Sequence, residues 1–248
     1  MNVILFKHQK EHEHIKQNTR KIKKWYKEIY YFKKQINVHE HINKKIRKRG
    51  IWIMKFGALY SYWGHEWKCD YIETAKRMHA CGCEVLEVGA PHLLEMTDDQ
   101  LKELKTTCDE LEMEITSNIG PSKEYDLASE DPAVRANGVK YLTDILRAMK
   151  KIGSKSLVGA MYSYWPCKDF KYDDKEGAWE RSIQGMKEVA KVAEELDIEC
   201  CLEVLNRFET YIMTSCEEAV EYCKRVGSKN VNILLDTFHM NIEEDNLP

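Results

Sequence analysis

From residue 55 onward the chain alternates short apolar runs with longer amphipathic stretches, and this rhythm constrains its fold more than any other feature. KFGALY (55 to 60), EVLEVG (84 to 89), MEITSNI (113 to 119), SLVGAMY (156 to 162), ECCLEV (199 to 204) and NVNILLD (230 to 236) read as strands. Helical patterns fall near 69–81, 97–111, 132–153, 177–196 and 215–226. Thr97 is an N-cap candidate; Pro132 lies near the first turn of the long helix and Gly153 just past its end. Six βα repeats with apolar strands predict a parallel sheet covered by helices. No G-x-G-x-x-G follows the first strand, which removes the usual argument for an open dinucleotide-binding sheet. Glu87, Tyr60, Tyr162, Glu203 and Asp236 stand at or near strand ends, the rim where a barrel does its chemistry. The expectation is therefore an α/β protein of the (β/α)8 TIM barrel type, with about six of the eight units present.

Charge divides the chain in two. Residues 1–53 hold 15 Lys and Arg against 4 Asp and Glu, leaving 23 against 37 for the other 195 residues. We read 1–53 as a basic N-terminal extension and 54–248 as a partial barrel. KIKKWYKEIYYFKK offers aromatics among lysines that could stack on bases, yet its apolar spacing forms no stripe, and a solvated charge run outweighs a nucleic-acid-binding face. Arg49-Gly50 can be encoded AGA-GGA, purine-rich like a ribosome-binding site and three codons before Met54, so the extension also reads as translated leader with Met54 as the natural start. No run reaches the ~18 apolar residues of a membrane span, and the start lacks a signal-peptide core. The nine cysteines show no paired C-x-x-C spacing for zinc, and reduced thiols in a soluble, cytoplasmic protein are the expectation.

Two features suggest a site. Tyr-Ser-Tyr-Trp occurs after the first strand (60 to 63) and again after the fourth (162 to 165). Either these aromatics plug the rim as core, or Trp63, Trp67 and Trp165 wall a pocket for a polar ligand with C–H faces. The second feature is the pair Glu203 and Asp236. Adjacent parallel strands lie about 4.8 Å apart, so two acids closing neighbouring strands face one mouth. Such anions raise one another's pKa unless a cation sits between them. No Lys or Arg stands at an equivalent strand end, although Arg207 is near, so a divalent metal with oxygen ligands, Mn²⁺ or Mg²⁺, is the economical partner. From spacing alone His239 stays open among ligand, substrate donor and loop histidine.

LEVLNRFE, LLDTFHMNIEED, SYWGHEW and YSYWP together resemble the ketose 3-epimerases of the D-psicose (allulose) and D-tagatose type, within the xylose isomerase-like TIM barrels. The likeness covers about residues 54–248. It implies a Mn²⁺-dependent isomerase, with Co²⁺ or Mg²⁺ as alternatives, that inverts C3 of a free ketohexose and is usually a homodimer or homotetramer at full length. Carried over by motif, Glu203 is metal ligand and one acid/base, and Asp236 is metal ligand. Glu209 and His239 contact substrate hydroxyls, and Trp67 and Trp165 wall the pocket. The C3 proton of a ketose is weakly acidic; its removal becomes feasible when a metal stabilises the developing enediolate, and inversion needs a second base on the opposite face.

The sequence also departs from that pattern. A TIM barrel typically needs ~250 residues, and the remaining ligands and the second base lie in the family on strands seven and eight, which this chain does not show. The chain thus reads as a fragment, and little or no epimerase activity is expected from it alone. Leu59 replaces a tyrosine carried by many relatives, which leaves the preferred sugar open. Other readings are another sugar isomerase of the superfamily, a metal-dependent endonuclease, disfavoured by the lack of strand-end histidines, or a non-catalytic fragment with a nucleic-acid-binding arm.

Overall fold

The computed structural model describes residues 55–64, 66 and 68–245. The basic extension, Met54 and Trp67 lie outside the described residues. The expected elements form, with shorter strands at two positions. β1 (Gly57–Leu59) and β4 (Ser156–Gly159) stop where the chain turns, β1 into a 3₁₀ turn over Tyr60–Trp63. β2 (Val85–Gly89), β3 (Glu114–Ile119), β5 (Glu199–Val204) and β6 (Val231–Leu235) match the apolar runs within a residue or so.

Local chemistry sets the helix ends. Asp70 caps α1 (Tyr71–Ala80) by accepting from the Ile72 and Glu73 amides. A short α2 (Ala90–Leu93), absent from the sequence reading, follows β2. Thr97 opens α3 (Asp98–Glu110) with a reciprocal capping box: Gln100 N–H donates to Thr97 Oγ1 at 3.3 Å, and Thr97 N–H to Gln100 Oε1 at 2.8 Å. Pro132 begins α4 (Pro132–Ile152), and Gly153 ends it in the left-handed conformation at φ 74°. α5 (Lys175–Leu196) and α6 (Cys216–Val226) complete the expected set. One more helix, α7 (Thr237–Glu243), continues directly from β6 with Asp236 as its N-cap. His239 therefore sits on a helix rather than in a loop.

All five strand pairings are parallel, and spatial order follows chain order from β1 to β6. A doubly wound sheet reverses its order at a switch point, so a sheet without reversal is the winding of a (β/α)8 barrel. Burial alternates along β3, β4 and β5. In β5, Cys200, Leu202 and Val204 are buried while Cys201 and Glu203 are only partly so. The buried set joins α4 and α5 residues such as Leu142, Ile145, Leu146, Met149, Ile183 and Met186 in one apolar cluster. The opposite face carries Glu87, Thr116, Asn118, Cys201 and Glu203, so the strands are not apolar on both faces as their composition suggested. Among the described residues, no helix is long and apolar enough to cross a membrane.

Candidate active site

Glu203 is the penultimate residue of β5 and lies beside Leu234 of β6. Paired residues of parallel strands share a face, and alternation returns that face two residues later, at Asp236. Asp236 then has two tasks. Its Oδ1 accepts the Phe238 N–H at 2.7 Å and starts α7, while Oδ2 faces His239 Nε2 at 4.0 Å. The first turn of α7 swings His239 back over β5, buried at 6 % exposure, with Nε2 3.8 Å from Glu203 Oε1. One ligand-type atom from each of Glu203, Asp236 and His239 falls within 4.8 Å of the others.

Glu209 joins from the turn after β5. Asn206 Nδ2 donates to its Oε1 at 2.9 Å and Trp165 Nε1 to its Oε2 at 2.8 Å, so both carboxylate oxygens are held. His239 Nδ1 is 4.0 Å from Glu209 Oε1. Glu203, Asp236, Glu87, Asn118, Leu59 and Trp165 line a cavity of about 350 Å³ at the end of the strands. A neighbouring cavity of about 380 Å³, containing Tyr60, His92, Glu95 and Ser122, shares Asn118, Gly120 and Trp165 with it. The Trp165 ring lies against the backbone at Gly120, where a Cβ would come within 2.7 Å of Cε3.

Electrostatics single out Glu203. Burial first, then the nearby Asp236, Glu87 and Glu209 carboxylates, push its pKa up to about 7. Burial also raises Glu87, partly offset by hydrogen bonds from Asn118 and Thr116. Arg207 does not neutralise this group: it is exposed and forks onto Glu243, with Nε 2.9 Å from Oε1 and the NH2 nitrogen 2.8 Å from Oε2. A crowded set of carboxylate oxygens, with no Lys or Arg among the described residues that line the cavity, fits a divalent cation of the Mn²⁺ or Mg²⁺ class.

The repeated Tyr-Ser-Tyr-Trp segments divide between the two roles read for them. Tyr60 and Tyr162 are core, and the Tyr162 hydroxyl donates to the Glu203 carbonyl at 3.0 Å, anchoring the backbone under the acid. Trp63 lies under the Arg77 guanidinium, 4.5 Å from ring to Cζ, and lines neither cavity. Trp165 does line them. Glu87 stands at the middle of β2 rather than at its end, deeper in the cavity than the spacing suggested. Asn206, which touches both Glu209 and His239, was missed although it lies inside LEVLNRFE. Its signal was a polar residue just past a strand end between two candidate acids.

Comparison with known proteins gives consistent matches. Residues 72–248 match the family described as xylose isomerase-like TIM barrel. The D-psicose 3-epimerase of Ruminiclostridium cellulolyticum is 43% identical over 194 residues, 78% of this chain and 66% of that protein. That of Agrobacterium fabrum is 40% identical over 192 residues, 77% of this chain and 66% of that protein. The crystal structure of D-psicose 3-epimerase with D-tagatose from Clostridium cellulolyticum superposes with a TM-score of 0.76 at 43% identity, covering 78% of this chain and 67% of that one. The chain spans about two thirds of the length of these curated relatives.

Proposed function

The chain belongs to the xylose isomerase-like TIM barrel family, and from that premise we propose that its site serves C3 epimerisation of a free ketohexose of the D-fructose/D-psicose or D-tagatose type. The observation that carries this reading is the convergence of Glu203, Asp236 and His239 within 4.8 Å, beside a cavity walled by Trp165. Glu203 and Asp236 would hold a divalent cation, Mn²⁺ or alternatively Co²⁺ or Mg²⁺, which when bound polarises the ketose carbonyl and stabilises negative charge on the oxygens beside it. Glu203 serves as a base that takes the C3 proton and returns one, since a carboxylate on the cavity face meets the sugar carbon directly. A base whose pKa is tuned toward neutrality suits that exchange.

The other groups bind and orient. Glu209, held at both oxygens, accepts from a sugar hydroxyl, and His239 donates from Nε2 to a second sugar oxygen. Trp165 lies against the C–H face of the chain. Trp67, which the resemblance also assigns to the pocket wall, lies outside the described residues. A homodimeric or homotetrameric full-length protein belongs to the same proposal.

Solvent exchange at C3 tests it. D-fructose or D-psicose is incubated in D2O with Mn²⁺ and protein, and its H3 resonance is followed by NMR after the metal is removed. Exchange needs only one base, so it isolates the step assigned to Glu203; inversion is read separately as the appearance of the C3 epimer. We expect H3 to wash out with the native chain and to persist with Glu203→Gln. Persistence of H3 with the Mn²⁺-loaded native chain, or equal washout with the variant, overturns the assignment.

A further inference from the structure

His239 approaches two carboxylates through Nε2, and as an imidazole it could meet them either as a lone pair, sharing a metal with them, or as an N–H donor. What lies behind the ring decides. Asn206 is 2 % exposed, and Phe208 N–H donates to its Oδ1 at 2.9 Å, which identifies the oxygen end of the amide. The nitrogen end therefore points the other way. One Nδ2 hydrogen reaches Glu209 Oε1 at 2.9 Å, and Nδ2 also stands 2.8 Å from His239 Nδ1. The Asn206 backbone N–H is aimed at the same Nδ1 from 3.2 Å. A peptide N–H has no lone pair and can only donate, so Nδ1 must accept. The neutral ring then carries its proton on Nε2, toward the gap between Glu203 and Asp236.

We propose that Asn206 is a positioning residue that sets the His239 tautomer as Nε2–H and, with the other hydrogen of the same amide, fixes Glu209. The inference rests on the proposed ketose site for its functional meaning, but not for its geometry. A protonated ring nitrogen has no lone pair for a metal, so His239 acts as a donor and the cation is left to Glu203 and Asp236. The arrangement also joins two substrate-facing groups through one buried amide. Displacing that amide moves a hydrogen-bond donor and a carboxylate together, which separate supports would not do.

Histidine-selective ¹⁵N labelling of the full chain, with long-range ¹H–¹⁵N correlation spectra, reads the tautomer directly. His239 is assigned by the signal lost in His239→Gln. The native chain should show the Nε2–H pattern, retained at saturating Mg²⁺, a diamagnetic probe ion. In Asn206→Asp an acceptor replaces the amide donor, and the His239 pattern should shift away from the pure Nε2–H form. An Nδ1–H pattern in the native chain, loss of the Nε2–H pattern on adding Mg²⁺, or an unchanged pattern in Asn206→Asp each overturns the proposal. If Asn206→Asp does not fold, the native spectra with and without Mg²⁺ still decide. No C3 exchange from a chain with the expected spectra would count against the ketose reading alone and leave the tautomer assignment standing.

Discussion

Replacing Glu203 by Gln removes an acid whose ionisation works against the fold in the absence of a cation. In the folded chain burial and the neighbouring carboxylates hold the Glu203 proton up to about pH 7, against an ordinary value of 4.5. At about 1.4 kcal/mol per pH unit, that gap is roughly 3 kcal/mol. The direction follows from proton binding: between the two values the folded state binds the proton and the unfolded state does not. The contribution of this group to stability is complete below about pH 4.5, declines as pH rises, and is gone above about pH 7. Gln carries no charge at any of these values. In EDTA, Glu203→Gln should therefore gain about 3 kcal/mol relative to the native chain at pH 8, and under about 1 kcal/mol at pH 5. For a domain of this size the pH 8 gain corresponds to a melting-temperature rise of roughly 6–12 °C. Urea denaturation at both pH values measures it. Mn²⁺ should reverse the order, because the native chain gains stability by mass action and the variant loses a ligand. A variant less stable than the native chain by the same amount at pH 5 and pH 8 would refute the account of Glu203 as a carboxylate crowded by other anions.

Three further outcomes follow from the same structure. Since Glu203 must give up its proton to bind a cation, Mn²⁺ affinity measured by calorimetry should fall about tenfold per pH unit below pH 7 and level off above it. Trp165→Phe keeps the ring but removes the N–H that Glu209 accepts at 2.8 Å, and should slow C3 exchange roughly ten- to a hundredfold while leaving the circular dichroism spectrum unchanged. Gly159 lies at φ +129°, and a Cβ there would stand 2.0 Å from the Ile119 carbonyl oxygen, so Gly159→Ala should cost more than about 2 kcal/mol in urea denaturation.

The two acids were legible because a strand-end carboxylate is anomalous within an apolar run, and period-2 alternation says which face it takes. The substrate role of Glu209 rests on the motif resemblance and that of Trp165 already on the repeated Tyr-Ser-Tyr-Trp, and their hydrogen bond joins the second of these segments to the turn after β5. The role of Trp63 was not legible. The same four letters follow β1 and β4, but Arg77 of α1 lies over the first tryptophan, whereas the second donates its indole N–H to Glu209 and lines the cavity. His239 stayed ambiguous because seven residues beyond β6 carry too short a pattern to announce a helix, and because its partner Asn206 is 33 positions away. On local grounds a lone amide in a turn, as Asn206 is, reads only as a turn residue.

The order of the six strands and of the five longer helices, the ends set by Thr97, Pro132 and Gly153, and the chemical types at the rim were all determined by the sequence alone. Each depends on neighbours within a turn or two, where periodicity and capping act. Which rim residues meet was decided only by the tertiary structure. Strand register brought Asp236 level with the face of Glu203, the turn of α7 laid His239 against Asn206, and the sheet without reversal gathered these groups at one end of the strands. Those distances are set by the packing of the whole sheet and its helices, and no local window of residues contains them.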